Sequence, residues 1–212
     1  MRLTVHGKHF HLDGRPHFLR TVTYGPFPET SGHSPEKDLP QIRSAGFDSV
    51  RVYALPDRHL LDHAAQNDLI IIATHAWGHG CDFITENPSL LDQARRDLTA
   101  WLESHKDHPG LGAILVGNEI PSDMARWMTP WKVNRAPAGL IRTCQKVAAG
   151  IPIGYANFPT TEYLEPPSAD LTAFNISLEG GESPESYLPG LHHLAGDRPV
   201  CLTEFVLDTN RN

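Results

Sequence analysis

Two carboxylates occupy the same kind of position in this sequence, at the point where a predicted buried strand ends. Glu119 follows the apolar run ILVGN, residues 114–118, and Glu204 ends the run RPVCLTE, residues 198–204. A protonated carboxyl can donate to a leaving oxygen while an ionised one attacks or stabilises a carbon, provided that their surroundings push the two pKa values apart. Such a pair flanking one bond is what the hydrolysis of a glycoside requires.

Other polar side chains end the remaining predicted strands. Arg51 could hold one carboxylate ionised, because a nearby cation favours the charged form; the alternative is an ordinary ion pair. Asn118 could bind a sugar hydroxyl, or form a turn. Trp77 could offer a flat apolar surface to a pyranose ring, or pack at the rim. Three further strand-end candidates either bind substrate or satisfy loop backbone: Tyr24, His75 and Asn157.

Composition limits the classes of partner. The chain has 212 residues, enough for one domain spanning 1–212, with 40% hydrophobic and 20% charged residues. A net charge of -7 argues against nucleic acid or an anionic membrane as the main ligand. There is no membrane-spanning run and no signal-peptide pattern. Three scattered cysteines, Cys81, Cys144 and Cys201, indicate reduced thiols, so a cytoplasmic location is expected.

Strand-like and helix-like segments alternate along the chain. The turn signals His6-Gly7 and Asp13-Gly14 predict a short N-terminal β-hairpin. Helices are expected over about 35–46, 57–66, 88–106 and 138–149 and after Ser183, with a bend or a late start caused by Pro40 in the first. The predicted strands cover residues 18–24, 49–53, 69–77, 111–119, 151–157, 170–177 and 198–205.

Strands separated by helices predict a parallel sheet, and continuous apolar strands fit a sheet covered on both faces. The two candidates are an open doubly wound sheet and a TIM (β/α)8-type barrel. No GxGxxG or GxxxxGK[ST] turn follows a strand, which removes the main dinucleotide and phosphate sites. Polar residues at nearly every strand's C-terminal end favour the barrel, where those ends converge on one site.

Two motifs carry a family resemblance. Gly117-Asn118-Glu119 and Thr203-Glu204-Phe205 resemble the motifs of the retaining glycoside hydrolases of clan A. The segments GKHFHLDGRPHFLRTVTYGP and AGFDSVRVY resemble the barrel of glycoside hydrolase family two, closest to its stand-alone or glycosyltransferase-linked type. The resemblance implies that Glu119 is the general acid/base, Glu204 the nucleophile, Asn118 a ligand of the sugar 2-hydroxyl and Arg51 a support of the nucleophile. It implies double displacement on a β-linked glycoside, by hydrolysis or sugar transfer.

The sequence departs from that family pattern at two points. The family places a tyrosine near the end of the sixth strand to bond the nucleophile, whereas this chain has Asn175-Ile176-Ser177. The chain also stops soon after Glu204, so about seven βα units are expected, without the eighth strand and helix. Such a barrel leaves two strand edges unpaired, which predicts either a homo-oligomer or a place in a larger multidomain chain.

The sequence leaves two other functions open. One is a catalytically inactive carbohydrate-binding or scaffold barrel. Another is metal-dependent hydrolysis through His75, His79 and Cys81, whose spacing matches no closed structural zinc site. His59 and His63 lie four apart on a predicted helix without an evident third ligand, and a solvated helix face is favoured there. No metal and no organic cofactor is expected.

Overall fold

The computed structural model describes residues 1–77, 80–178 and 184–207. A three-stranded antiparallel sheet comes first, formed by β1 (Leu3–His6), β2 (His9–Leu12) and β3 (Arg15–His17). Its two turns lie at Gly7 and Gly14, which have the positive φ angles that tight turns demand of glycine. The predicted N-terminal hairpin is therefore confirmed, with a third strand added.

Seven parallel strands form a nearly closed barrel in sequence order, with β4 and β10 at its two edges. The predicted incomplete (β/α)8-type barrel is confirmed, and the open doubly wound alternative is wrong. The strands are β4 (Thr21–Thr23), β5 (Ser49–Val52), β6 (Ile70–Thr74), β7 (Leu111–Asn118), β8 (Ile153–Asn157), β9 (Thr172–Leu178) and β10 (Val200–Leu207).

Six α-helices surround these strands in the described part of the chain: α1 (Pro35–Ser44), α2 (Arg58–Gln66), α3 (Ser89–His105), α4 (Ser122–Met128), α5 (Pro130–Val147) and α6 (Pro184–Ala195). Helix α1 starts at Pro35 and continues through Pro40, so the late start expected from Pro40 is wrong. The fourth predicted helix begins eight residues earlier than expected, and α4 precedes it. None of the described helices is long and apolar enough to cross a membrane.

The core has two layers that follow the alternation of side chains along each strand. Ile70, Ile72 and Leu115 point into the barrel and meet Leu3 and Phe10 of the N-terminal sheet, which closes the bottom. The intervening residues of the same strands pack outward against the helices. Both faces are apolar because both are covered, which explains the continuous apolar runs. Cys144 and Cys201 are buried thiols.

Candidate active site

Arg51 is the centre of a polar cluster at the C-terminal ends of the strands. It points inward from β5 and its residue is fully buried. Its Nη1 donates to Glu204 Oε1 at 2.8 Å and to the Thr203 carbonyl at 3.0 Å, both on β10. Its Nε donates to Thr74 Oγ1 of β6 at 3.3 Å. One guanidinium therefore spans the barrel mouth, and Glu204 balances its buried charge.

A β-bulge sets the direction of Glu204. Leu202 of β10 pairs with Phe174, but the next pair joins Glu204 to Asn175, so Thr203 is the extra residue. Alternation alone would turn Thr203 and Glu204 to opposite faces. The bulge allows both to reach the cluster, since Thr203 Oγ1 donates to Asn175 Oδ1 at 2.7 Å while Glu204 accepts from Arg51.

Glu119 lies just beyond a second irregularity. Strand β7 shifts its register against β8 between Leu115 and Asn118. Glu119 itself has a φ of +43°, a left-handed conformation that is strained for a residue with a side chain. Its backbone N–H donates to the Ala156 carbonyl at 2.9 Å, and the next N–H, of Ile120, donates to the buried Tyr155 hydroxyl at 2.8 Å. These two bonds hold the strained turn in place.

Asn175 joins the two carboxylates. From the buried interior of β9 its Nδ2 donates to Glu119 Oε1 at 2.7 Å, while its Oδ1 accepts from Arg51 Nη1 at 3.0 Å. Because a guanidinium only donates, Oδ1 must face Arg51 and Nδ2 must face Glu119. Glu119 Oε1 is therefore an acceptor, and a proton carried by Glu119 would reside on Oε2.

The same reasoning fixes the orientation of Asn118. Its Oδ1 accepts from Arg51 Nη2 at 2.6 Å and from Asn175 Nδ2 at 3.1 Å. Both of those groups are donors, so Nδ2 of Asn118 is turned away from them. Within the described residues this Nδ2 has no hydrogen-bond partner, and it can donate to a bound hydroxyl group.

Tyr53 is the last residue of the strand predicted over residues 49–53 and was not among the predicted site residues. Its ring lies under the Arg51 guanidinium, with Cζ 4.7 Å from the ring centroid. Burial raises the pKa of Tyr53 to about 12. The charge of Arg51 lowers this pKa, and the neighbouring carboxylate of Glu204 raises it further. Its hydroxyl is thus a protonated donor beside Glu204 at neutral pH. Tyr53 supplies a tyrosine next to this carboxylate although Asn175-Ile176-Ser177 does not.

Trp77 packs against β7, the strand that leads to Glu119, and hydrogen-bonds to it. Its indole Nε1 donates to the Val116 carbonyl at 2.7 Å, and its ring meets Phe83 edge to face at 4.9 Å. A side chain at Gly117 would come within 3.1 Å of Nε1, which accounts for the glycine there. Trp77 is only 6% exposed, so these contacts are those of a packing residue rather than of an open platform for a sugar.

Asn157, predicted as a substrate ligand, makes its hydrogen bonds with the loop after β8. Its side chain is fully buried, with Nδ2 donating to the Thr161 carbonyl and Oδ1 accepting from Thr161 Oγ1 and the Phe158 N–H. These three hydrogen bonds close the loop after β8. In the sequence, an asparagine at a strand end that hydrogen-bonds a loop cannot be distinguished from one that binds a substrate.

Tyr24 and His75 are not joined to the carboxylates by any hydrogen bond among the described residues. The Tyr24 hydroxyl donates to Asp38 Oδ2 of α1 at 2.9 Å, and its ring lines, with Tyr53, a cavity of about 270 Å3 at the ends of β4 and β5. Burial lowers the pKa of His75, opposed by Asp97 of α3, and its buried Nε2 has no partner in the described structure. His79 of the zinc alternative lies outside the described residues.

Glu204 and Glu119 each accept a hydrogen bond from a different kind of group. One carboxylate oxygen of Glu204 is held by a permanent cation, and one of Glu119 is held by a neutral amide. The two carboxylates therefore have different neighbours, a guanidinium at Glu204 and a side-chain amide at Glu119. Sequence reasoning missed Asn175 and Thr203 as parts of the site because their roles depend on neighbouring strands.

No family model matches the sequence, and no curated protein matches it. Among solved structures, it is similar to the family-two β-galacturonidase from Eisenbergiella tayi bound to galacturonate, with 17% identity, a TM-score of 0.75, and 94% of this chain aligned with 37% of that one. The Bacteroides uniformis β-glucuronidase gives 17% identity and a TM-score of 0.74, over 92% of this chain and 25% of that one. The Ruminococcus gnavus β-glucuronidase gives 18% and 0.69, over 83% and 32%.

The chain has the barrel fold found in these glycosidases. The predicted resemblance to the family-two barrel is confirmed at the level of the fold. The chain spans between a quarter and two fifths of the length of these three structures. The substrates of those whole enzymes therefore enter only as a basis for proposals about this barrel. The roles of its side chains are argued from its own geometry.

Proposed function

We propose that this barrel is a retaining glycoside hydrolase or transglycosidase that acts on a β-linked glycoside. The observation that carries the proposal is the Arg51–Asn175 network, which connects Glu204 within β10 to Glu119 just beyond the end of β7. Glu204 attacks the anomeric carbon. Glu119 gives the proton on Oε2 to the leaving oxygen, which breaks the glycosidic bond and leaves a glycosyl ester on Glu204.

In the second step Glu119, now ionised, takes a proton from water or from an acceptor sugar. The resulting oxygen nucleophile attacks the anomeric carbon, releases Glu204 and retains the configuration. Asn118 Nδ2 donates to a sugar hydroxyl throughout. No metal or organic cofactor enters either step. The expected partner is a glycoside, and a cytoplasmic location remains part of the proposal.

The test is covalent trapping. The full chain is incubated with activated 2-fluoro glycosides in the glucosyl, galactosyl, mannosyl, glucuronyl and galacturonyl series, and its intact mass and peptide map are read. The two uronic acids are included because the similar solved structures are a galacturonidase and glucuronidases. We expect one adduct, on Glu204. Glu204→Gln is the matched control and should take no label.

Two results would contradict the proposal. One is an adduct on a residue other than Glu204. The other is folded protein that binds a sugar without any labelling or turnover, equally well in wild type and Glu204→Gln, which would support the inactive carbohydrate-binding barrel. A crystal structure of the complex gives a further check, since retention predicts carboxyl groups about 5–5.5 Å apart.

A further inference from the structure

A second cluster of polar side chains lies outside the barrel, between α1 and α2. His59 and His63 are one turn apart on α2, and Glu36 stands in the first turn of α1. Glu36 Oε1 lies 2.8 Å from His59 Nε2 and 3.4 Å from His63 Nε2. The three potential ligand atoms all lie within 4.8 Å of one another. In residues 1–77, 80–178 and 184–207 no other three His, Cys, Asp or Glu residues come together in this way.

We propose that Glu36, His59 and His63 form a binding site for Zn2+. Two imidazole nitrogens and a carboxylate oxygen are ligands that zinc takes in proteins, with the fourth position held by water. Bonds of about 2.0–2.2 Å to a tetrahedral ion require ligand atoms about 3.3 Å apart. One pair, His63 Nε2 and Glu36 Oε1, is already 3.4 Å apart, so the rest is reached by small side-chain movements.

The geometry of the cluster suits a cation. The Glu36 carboxylate is exposed to solvent and lies close to both imidazoles, so an ion in solution can reach all three side chains. The Nε2 atom of each imidazole lies within 3.4 Å of the same carboxylate oxygen, Glu36 Oε1. Zn2+ would bind both Nε2 atoms in their unprotonated form.

The position of the cluster indicates what such an ion would do. Helix α1 follows β4, which is an edge strand of the seven-stranded sheet. A zinc ion shared by Glu36 and the two histidines would tie α1 to α2, on either side of β5 in the chain. Strand β5 carries Arg51, so the ion would stabilise the side of the barrel next to the candidate active site. It would make no contact with Glu119 or Glu204. The inference does not depend on the proposed glycosidase activity.

The test is zinc binding by the full chain, measured by competition with a chromophoric chelator, with the Co2+ absorption spectrum as a report on coordination. We expect one ion per chain, a tetrahedral Co2+ spectrum, and a denaturation midpoint that rises when Zn2+ is added. Glu36→Gln and His59→Ala should each weaken binding by roughly tenfold or more. The double variant His59→Ala/His63→Ala should lose both binding and the shift in midpoint.

His192→Ala on α6 is the matched control, because it removes an exposed histidine elsewhere and should leave zinc binding unchanged. Glu36 and His59 are exposed, so their variants should keep the wild-type far-UV circular dichroism spectrum. The inference is overturned if wild type takes up no Zn2+ at ~100 µM, well above the affinity expected of such a site. Binding that survives unchanged in the double variant overturns it equally, since the ion would then be held by other residues.

Discussion

Arg51 Nη1 and Glu204 Oε1 are 2.8 Å apart, although the arginine side chain is fully buried and the glutamate is 28% exposed. A cation with no contact with water depends on its acceptors for compensation. The other acceptors of Arg51 are a carbonyl, two amide oxygens and a hydroxyl, all of them neutral. Glu204 therefore has a structural role in addition to its proposed chemical one.

The stability of Glu204→Gln tests that role. The amide still accepts a hydrogen bond, but the buried charge of Arg51 loses its counter-ion, so we expect the free energy of unfolding to fall by about 1–3 kcal/mol. Glu119→Gln is the matched control. Glu119 accepts from a neutral amide, which a glutamine oxygen can replace, so it should cost less than about 1 kcal/mol. Urea denaturation of the two variants gives the comparison, and equal losses would count against the dependence of Arg51 on Glu204.

The conformation of Glu119 supports a prediction about its backbone. At a φ of +43° a Cβ atom is strained, so Glu119→Gly should be more stable than Glu119→Ala by about 1 kcal/mol. Glu103, exposed on α3, is the matched control, because there alanine should exceed glycine by about 1 kcal/mol. Denaturation of the four variants shows whether glycine or alanine is the more stable residue at positions 119 and 103. Alanine more stable than glycine at both sites would show that residue 119 is not strained.

Tyr53 is expected to act on the reactivity of Glu204. Because the pKa of Tyr53 is raised to about 12, its hydroxyl remains a donor through neutral and mildly alkaline pH. Tyr53→Phe should slow the labelling of Glu204 by a reactive 2-fluoro glycoside by roughly tenfold, because it removes the hydroxyl dipole beside the carboxylate. Tyr24→Phe is the control, since that hydroxyl donates to Asp38. Similar rates for both variants would remove Tyr53 from the site.

Glu165 makes stability depend on pH. It follows a 3-10 turn and pairs with Arg198 at 3.0 Å, yet burial raises its pKa from 4.5 to about 7, and the arginine opposes this without overcoming it. Below pH 4.5 the carboxyl is protonated in both the folded and the unfolded chain. As pH rises, the unfolded chain loses its proton first, so the stability that Glu165 contributes is lost between about pH 4.5 and pH 7.

The measurement is the free energy of unfolding of wild type and Glu165→Gln at several pH values. Glutamine does not titrate, so the wild-type value should fall relative to the variant by up to about 3 kcal/mol between pH 4.5 and 8. The comparison between the two proteins cancels the titration of other groups. Parallel curves would mean that the ion pair with Arg198 cancels the effect of burial on the pKa of Glu165.

Much of the fold was predictable because it depends on patterns that are local in the sequence. Continuous apolar runs predicted the parallel strands, and the pairs His6-Gly7 and Asp13-Gly14 predicted the first turns. Helix α4 was not predicted, because a short helix before Pro130 has little periodicity of its own. The same limit moved the predicted start of α5 by eight residues.

The chain by itself determined which residue types arrive in the C-terminal halves of the strands or just beyond them, including Glu119, Glu204 and Arg51, because strand length and apolar character are properties of adjacent residues. Only the tertiary structure decided what those side chains do. The bulge at Thr203 is a relation between two strands, and the link through Asn175 joins residues more than fifty positions apart. Glu36 meets His59 only because two helices lie side by side. Contacts of this kind depend on packing in three dimensions, which no pattern along the chain records.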